Sequence, residues 1–196
     1  MNKRMAWLCL IGGILWGVKP IYDALVNGRE INTGYIPVDP TDYIKFIFPF
    51  LCLSGLLVIY SRYKKKVRNS VIVLFIAVVF NGLFHFFEIY FYDSDLPFGF
   101  IFLFFGMFAM IAGSLYLFIQ LRKIKGMSGF LTLPVFILFL SNFLLVVLAF
   151  LMELLPVTIP DLIMATLMIS VGFIWAWIGM ALLKVGELES SIHVDV

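Results

Sequence analysis

Read for charge alone, the chain falls into six stretches without Asp, Glu, Lys or Arg: residues 5–18, 46–61, 69–87, 96–121, 126–152 and 162–183. An α-helix needs ~20 predominantly apolar residues to cross a hydrocarbon core. The last four stretches reach that length almost as they stand. The first two, at 14 and 16 residues, reach it if Lys19 and Lys45 lie in the helix and snorkel their ammonium groups to the interface. The pattern predicts helices at about 5–26, 43–61, 70–92, 97–121, 130–154 and 160–184. Lipid cannot satisfy an open sheet edge, and these runs are too long for barrel strands. The predicted fold is therefore all-α: a polytopic membrane protein forming a single bundle of six transmembrane helices over residues 1–196. Met5–Val18 behind Lys3 and Arg4 has the outline of a signal peptide. The nearest small-residue site, Ala24-Leu25-Val26, lacks the A-x-A form of a cleavage site, so the segment is expected to be a retained helix.

Composition narrows the class. With 63% hydrophobic and 13% charged residues in 196, the chain lies far from a soluble domain and from a disordered one. Six spans leave room only for short connections. Cys9 and Cys52 both fall inside apolar runs, where thiols act as small hydrophobes rather than as a disulfide framework.

Net charge is only +2, but its distribution orients the bundle. Alternate connections put Lys3, Arg4, Arg62, Lys64, Lys65, Lys66, Arg68, Arg122, Lys123, Lys125 and Lys184 on one side, eleven of the 14 basic residues. The other side takes Asp23, Glu30, Asp39, Asp42, Glu88, Asp93, Asp95, Glu153 and Asp161, nine of the 12 acids. The positive-inside rule then predicts both termini in the cytoplasm, most simply at a bacterial plasma membrane. The run from Arg62 to Arg68 reads as a topology determinant that meets lipid phosphates, not as a nucleic-acid patch. Residues 27–42, punctuated by Gly28, Gly34, Pro37 and Pro40, form the longest external connection. They read as a loop in the headgroup zone or as a cap over an outward cavity.

Helices in lipid pack through small residues. Ala6, Cys9, Gly13 and Gly17 share a face of the first helix. Gly99, Gly106 and Gly113 recur at heptad steps in the fourth, and Gly172, Ala176 and Gly179 lie together in the sixth. These faces are expected to assemble the bundle, or to dock a partner membrane protein or a second copy. Phenylalanine is concentrated in the third and fourth helices, with 13 of 22 between Phe75 and Phe118, and is expected mainly to face lipid.

Ionisable groups inside spans are expensive, at ~3 kcal/mol or more near the bilayer centre, and so point to sites. Asn81, His85, Glu88 and Tyr92 follow steps of four, three and four, which makes one stripe along the third helix. Lys19 and Asp23 are spaced i,i+4 on the first helix. Asn142 and Glu153 share a face of the fifth, eleven residues or about three turns apart. All fall toward the side predicted to be external. Two readings follow. The groups form an outward-facing polar site for a cation, a proton or a small polar ligand, with His85 titrating near neutrality and Glu88 tuning it. Alternatively they pair locally, meet interfacial water and satisfy interhelical hydrogen bonds. A contact of His85 and Glu88 with Lys19 or Asp23 across the first and third helices is expected under the first reading.

No phosphate-binding glycine loop, zinc-protease motif or nucleophile elbow is present. With His85 and His193 the only histidines, a multi-histidine metal site within the chain is excluded, and no cofactor is expected. The layout is similar to that of the substrate-binding subunits of energy-coupling-factor vitamin transporters. That resemblance implies that Ala6, Cys9, Gly13 and Gly17 dock a transmembrane partner, although the usual alanine pairing is missing here. The expected function is a non-enzymatic ligand-binding, sensing or accessory subunit. A small proton- or cation-coupled transporter is the alternative, and a membrane-embedded enzyme the third.

Overall fold

The computed structural model describes residues 3–26, 42–90, 98–125, 127–155 and 161–192. Among them every regular element is helical: α1 (Lys3–Val26), a 3₁₀ turn (Asp42–Ile44), α2 (Ile47–Tyr63), a second 3₁₀ turn (Lys64–Lys66), α3 (Arg68–Tyr90), α4 (Phe98–Arg122), α5 (Gly129–Leu154) and α6 (Asp161–Ile192). All six α-helices are long and apolar enough to cross a membrane. Their apolar runs set these elements, because a helix satisfies its own backbone polar groups where lipid cannot.

Local chemistry sets the ends. Ser128 caps α5 in an extended conformation, its Oγ accepting from the Phe130 N–H at 3.2 Å. Leu155 ends that helix, also extended (φ −122°, ψ 145°), as suits a residue that precedes Pro156. The helix beginning near 43 in the sequence reading starts at Ile47, behind a 3₁₀ turn, and Pro49 occupies its first turn, where a missing N–H is harmless. α6 continues to Ile192, past the end of its apolar run at Leu183. Hydropathy marks where a span stops, whereas Val185–Ile192 carries no proline to stop the helix.

The helices form a closed ring in chain order. Each packs antiparallel on the next, α1 also packs on α6, and α2 reaches across to α6. One end, here the basic end, carries Lys64–Lys66, Arg68, Arg122 and Lys184. The other, the acidic end, receives the C-terminal ends of α1, α3 and α5 and the N-terminal ends of α2, α4 and α6.

Two seams are backbone-close. On α1 and α6, a Cβ placed on Gly13 would run into the Ala176 amide nitrogen and the Gly172 carbonyl. One on Gly172 would lie 2.6 Å from Gly17 Cα, and one on Gly179 would lie 2.5 Å from the Leu10 amide nitrogen. On α3 and α4, Gly113 takes Leu74 (2.8 Å to its Cγ) and Gly106 takes the Asn81 amide. Cys9 seats its Sγ over Gly55, and Ser54 Oγ lies 2.7 Å from the Met5 carbonyl, joining α2 to α1. Gly13, Gly106, Gly113, Gly172, Gly179 and Ala176, singled out in the sequence, thus sit against other helices of the same chain. Gly17 meets the Phe173 ring. Near the basic end, Ser70 Oγ and Gln120 Oε1 join α3 to α4 at 2.6 Å, and Arg62 Nη2 donates to the Val185 carbonyl of α6 at 3.5 Å.

Burial is uneven along the bundle. From its middle to the basic end the interior is filled by Leu56, Ile59, Val67, Leu74, Leu117, Leu121, Leu131, Trp175 and Leu182, each within 1% of full burial. Toward the acidic end, among the described residues, the apolar side chains buried on α2 are Phe48 and Pro49. The described side chains of α3 beyond Val78 are half-buried at most, except Tyr90, which is exposed; Gly82, having none, is buried.

The α1–α6 seam yields a graded expectation. Gly13→Ala and Gly172→Ala each push a methyl into opposing backbone, which cannot move aside as a side chain can, and should destabilise by ~1–3 kcal/mol. Gly106→Ala meets the Asn81 amide at 3.1 Å and should cost less, and Gly129→Ala, with nothing within 4 Å, should be neutral. Thermal unfolding in a mild detergent gives the order; equal melting of Gly13→Ala and Gly129→Ala would contradict the seam.

Candidate functional site

Of the α3 stripe, Asn81 and His85 have described side chains, while Glu88's side chain and Tyr92 lie outside the described residues. His85 stands seven residues beyond fully buried Val78, hence on the same face within ~20°. Asn81 lies on the flank toward α4, where the absence of a side chain at Gly106 makes room for its amide. Both are half-buried. The Asn81 amide donates back to the Ala77 carbonyl of its own helix at 2.9 Å. The His85 ring is 5.1 Å from that of Phe84, tilted by 52°. Outward of these, Phe87 stacks on Phe102 of α4 (5.2 Å, 17°) and Phe86 meets Phe46, the residue before α2, edge-on (5.6 Å). Part of the phenylalanine expected to face lipid therefore packs between helices, while Phe104, Phe105 and Phe108 are exposed as expected.

Lys19 and Lys45 are 8% exposed each. Both are therefore covered by protein at the ends of their spans. Lys19 lies on the α1 face that meets α2, seven residues beyond Gly12, which contacts Leu51 and Phe48. Its ammonium sits 5.5 Å from the Tyr22 ring centroid, a cation–π distance. Lys45 precedes α2 and accepts on its carbonyl from the Phe48 N–H at 3.1 Å. The two lysines thus belong to the same α1–α2 corner at the acidic end. Sequence reasoning treated Lys45 only as a helix flank, and no local pattern marked its burial.

Asn142 of α5 is 5% exposed and donates to the Leu138 carbonyl at 2.8 Å. Beside it Ser141 and Ser170 bring their Oγ atoms to 3.4 Å, joining α5 to α6. Asp23, Glu88 and Glu153 fall in helices, but their side chains lie outside the described residues, as does most of the loop at 27–42. The ring order puts α2 between α1 and α3, so the expected meeting of Lys19 with His85 is not a contact between neighbouring helices.

A further polar group lies deeper. Trp175 is fully buried, and its indole N–H has no acceptor among the described residues. Trp175 also accepts at its carbonyl from Cys9 Sγ at 3.5 Å. A buried tryptophan normally finds a partner, and only the tertiary structure reveals this one. Both cysteines are free and buried. The described residues hold no group of three or more His, Cys, Asp or Glu suited to a metal ion.

No protein-family model matches the chain, and no curated protein or solved structure matches it. The resemblance to energy-coupling-factor subunits therefore rests on layout alone, and the α1 residues it would assign to docking pack here on α2 and α6.

Cysteine substitutions test this geometry. With Cys9 and Cys52 buried, both native thiols should resist a hydrophilic maleimide in the folded protein. Replacing Asn81 or His85 by cysteine should create a reactive thiol, whereas Leu117→Cys and Leu131→Cys should stay silent until denaturation. Labelling at 117 equal to that at 85 would mean that the two halves are packed alike.

Proposed function

We propose that the chain is a non-enzymatic subunit of a bacterial plasma membrane that binds a small polar or ionic ligand in the acidic-end half of its bundle. The observation that carries this reading is the uneven burial: an apolar plug at the basic end, and at the acidic end an inner face bearing Asn81 and His85 near an α1–α2 corner with two buried lysines. A purely structural bundle would gain by filling both halves with aliphatic side chains. Ionisable groups kept in a span are costly enough to call for a use.

The positive-inside rule supports the orientation: basic end and termini cytoplasmic, acidic end outward. The site then opens to the exterior, as suits a sensing or ligand-capturing subunit. Glu88, Asp23 and Glu153 are assigned to the same site by their positions on α3, α1 and α5. Association with a partner membrane protein or a second copy is part of the proposal. It would use surfaces other than the glycine faces, which are occupied within the chain. Coupled transport is the second reading; it draws on the buried ionisable Lys19 of α1 and the half-buried His85 of α3.

Two measurements check this. In oriented membranes, cysteines at Lys65 and Lys123 should label only from the cytoplasm, and those at Thr33 and Ser94 only from outside. Labelling of positions 123 and 94 from one side would break the topology. For function, thermal-shift titrations with small carboxylates, phosphates, amines and alkali cations should find stabilisers of the parent protein. At 100 times Kd a ligand should add ~2.7 kcal/mol. His85→Ala and Glu88→Gln should abolish the shift, and lipid-facing Ile76→Ala should keep it. Phe87→Ala is unsuitable as a control, since that ring stacks on Phe102. Equal shifts in all three variants would remove the site, and proton-dependent uptake in proteoliposomes would select the transport reading.

A further inference from the structure

A second feature lies at the basic end, on the outside of the ring. Between α2 and α3 a groove of about 300 Å³ is lined by Leu57, Tyr60, Arg68, Val71, Ile72 and Phe75. Leu57, Ile72 and Phe75 are 42%, 46% and 40% exposed, so the groove faces lipid rather than the interior. Its chemistry is polarised. Phe75, Ile72 and Leu57 give an apolar floor, while Tyr60 and Arg68 stand where α2 and α3 approach their connecting turn. Phe75 to Arg68 spans seven residues, ~10 Å along the axis. The turn itself is Lys64-Lys65-Lys66, all exposed, and the sequence from Arg62 to Arg68 holds no acid.

Three other cations at this end are turned elsewhere, while Lys3, Arg4, Lys123 and Lys125 are exposed on other helices and turns. Arg122 lies over the Phe118 ring (5.6 Å), Lys184 over the Phe130 ring (5.0 Å), and Arg62 reaches the Val185 carbonyl. Arg68 and the three turn lysines thus concentrate exposed positive charge at one mouth of one apolar groove. The first turn of α3 adds backbone N–H groups and the positive end of a helix dipole at the same place.

We propose that this groove is a specific site for an anionic glycerophospholipid. The first part of one acyl chain lies along Leu57, Ile72 and Phe75. The phosphate meets the Arg68 guanidinium and the Tyr60 hydroxyl, and the lysine turn supplies the field that selects an anionic over a zwitterionic headgroup. Arginine fits the phosphate through its planar fork of donors, which lysine lacks. The site needs only that the basic end sits at headgroup depth, so it is independent of which leaflet that is and of the ligand site at the acidic end.

Native mass spectrometry of the detergent-purified protein tests it, with dioleoyl phosphatidylglycerol and dioleoyl phosphatidylcholine as competing probes. The parent should retain one phosphatidylglycerol in preference to phosphatidylcholine. Arg68→Gln should weaken that retention by about fivefold or more, as expected for loss of one basic contact. Ile72→Trp, which fills the groove without changing charge, should also lose it. Arg68→Lys should restore only part, and His85→Ala should leave it intact. Circular dichroism melts in phosphatidylcholine micelles establish that each variant is folded. Retention unchanged in both Arg68→Gln and Ile72→Trp would overturn the site. So would equal competition by glycerol 3-phosphate, which would reduce it to a headgroup patch without a groove.

Discussion

The first and last helices meet through bare backbone, and the bundle depends on that contact. Helices in lipid gain nothing from hiding apolar surface from one another, so association relies on close van der Waals approach. Gly13, Gly17, Gly172 and Gly179 let α1 and α6 come so near that no Cβ fits at Gly13 or Gly172. This closure turns a chain of sequential hairpins into a ring with an inside and an outside. Only then does a helix face acquire a meaning such as interior, seam or lipid. The second glycine seam, between α3 and α4, fixes the rotation of α3, with Asn81 turned to Gly106 and Val78 fully buried.

Interior volume is then divided unequally. At the basic end, branched aliphatics from α2 to α6 fill the ring, and the Ser70–Gln120 bond adds a directional link between α3 and α4. At the acidic end α3 carries half-buried Asn81 and His85, and aromatic pairs such as Phe46–Phe86 and Phe87–Phe102 hold the seams. The proposed ligand site rests on this difference between the two ends, and the charges of the sequence follow the same division.

The spans were legible because an uninterrupted apolar run of ~20 residues has few uses other than crossing lipid. The packing glycines were legible from spacing, since steps of three, four and seven put them on one face. Their partners were not: nothing in the periodicity of α1 says that Gly13 meets Ala176 rather than a helix of another protein. The burial of Lys45 was not legible, because it depends on how α1 and α2 converge. Phe87 and Phe102 were taken with the lipid-facing phenylalanines because a single helix does not reveal its neighbours. Trp175 gave no signal, as an orphaned N–H exists only in three dimensions. Of the candidate site, the shared face of Asn81 and His85 followed from their spacing, whereas the placing of α2 between α1 and α3 could not.

The claim that the ring is plugged at one end and polar at the other is tested most directly by hydroxyl-radical footprinting of the protein in lipid nanodiscs, read residue by residue by mass spectrometry. Radicals report water contact, and phenylalanine, leucine and histidine all take the label. The account predicts oxidation of Phe84 and His85 in the intact protein, with Leu117, Leu121 and Leu131 protected until the nanodisc is dissolved. Protection of Phe84 and His85 equal to that of the three leucines would contradict it.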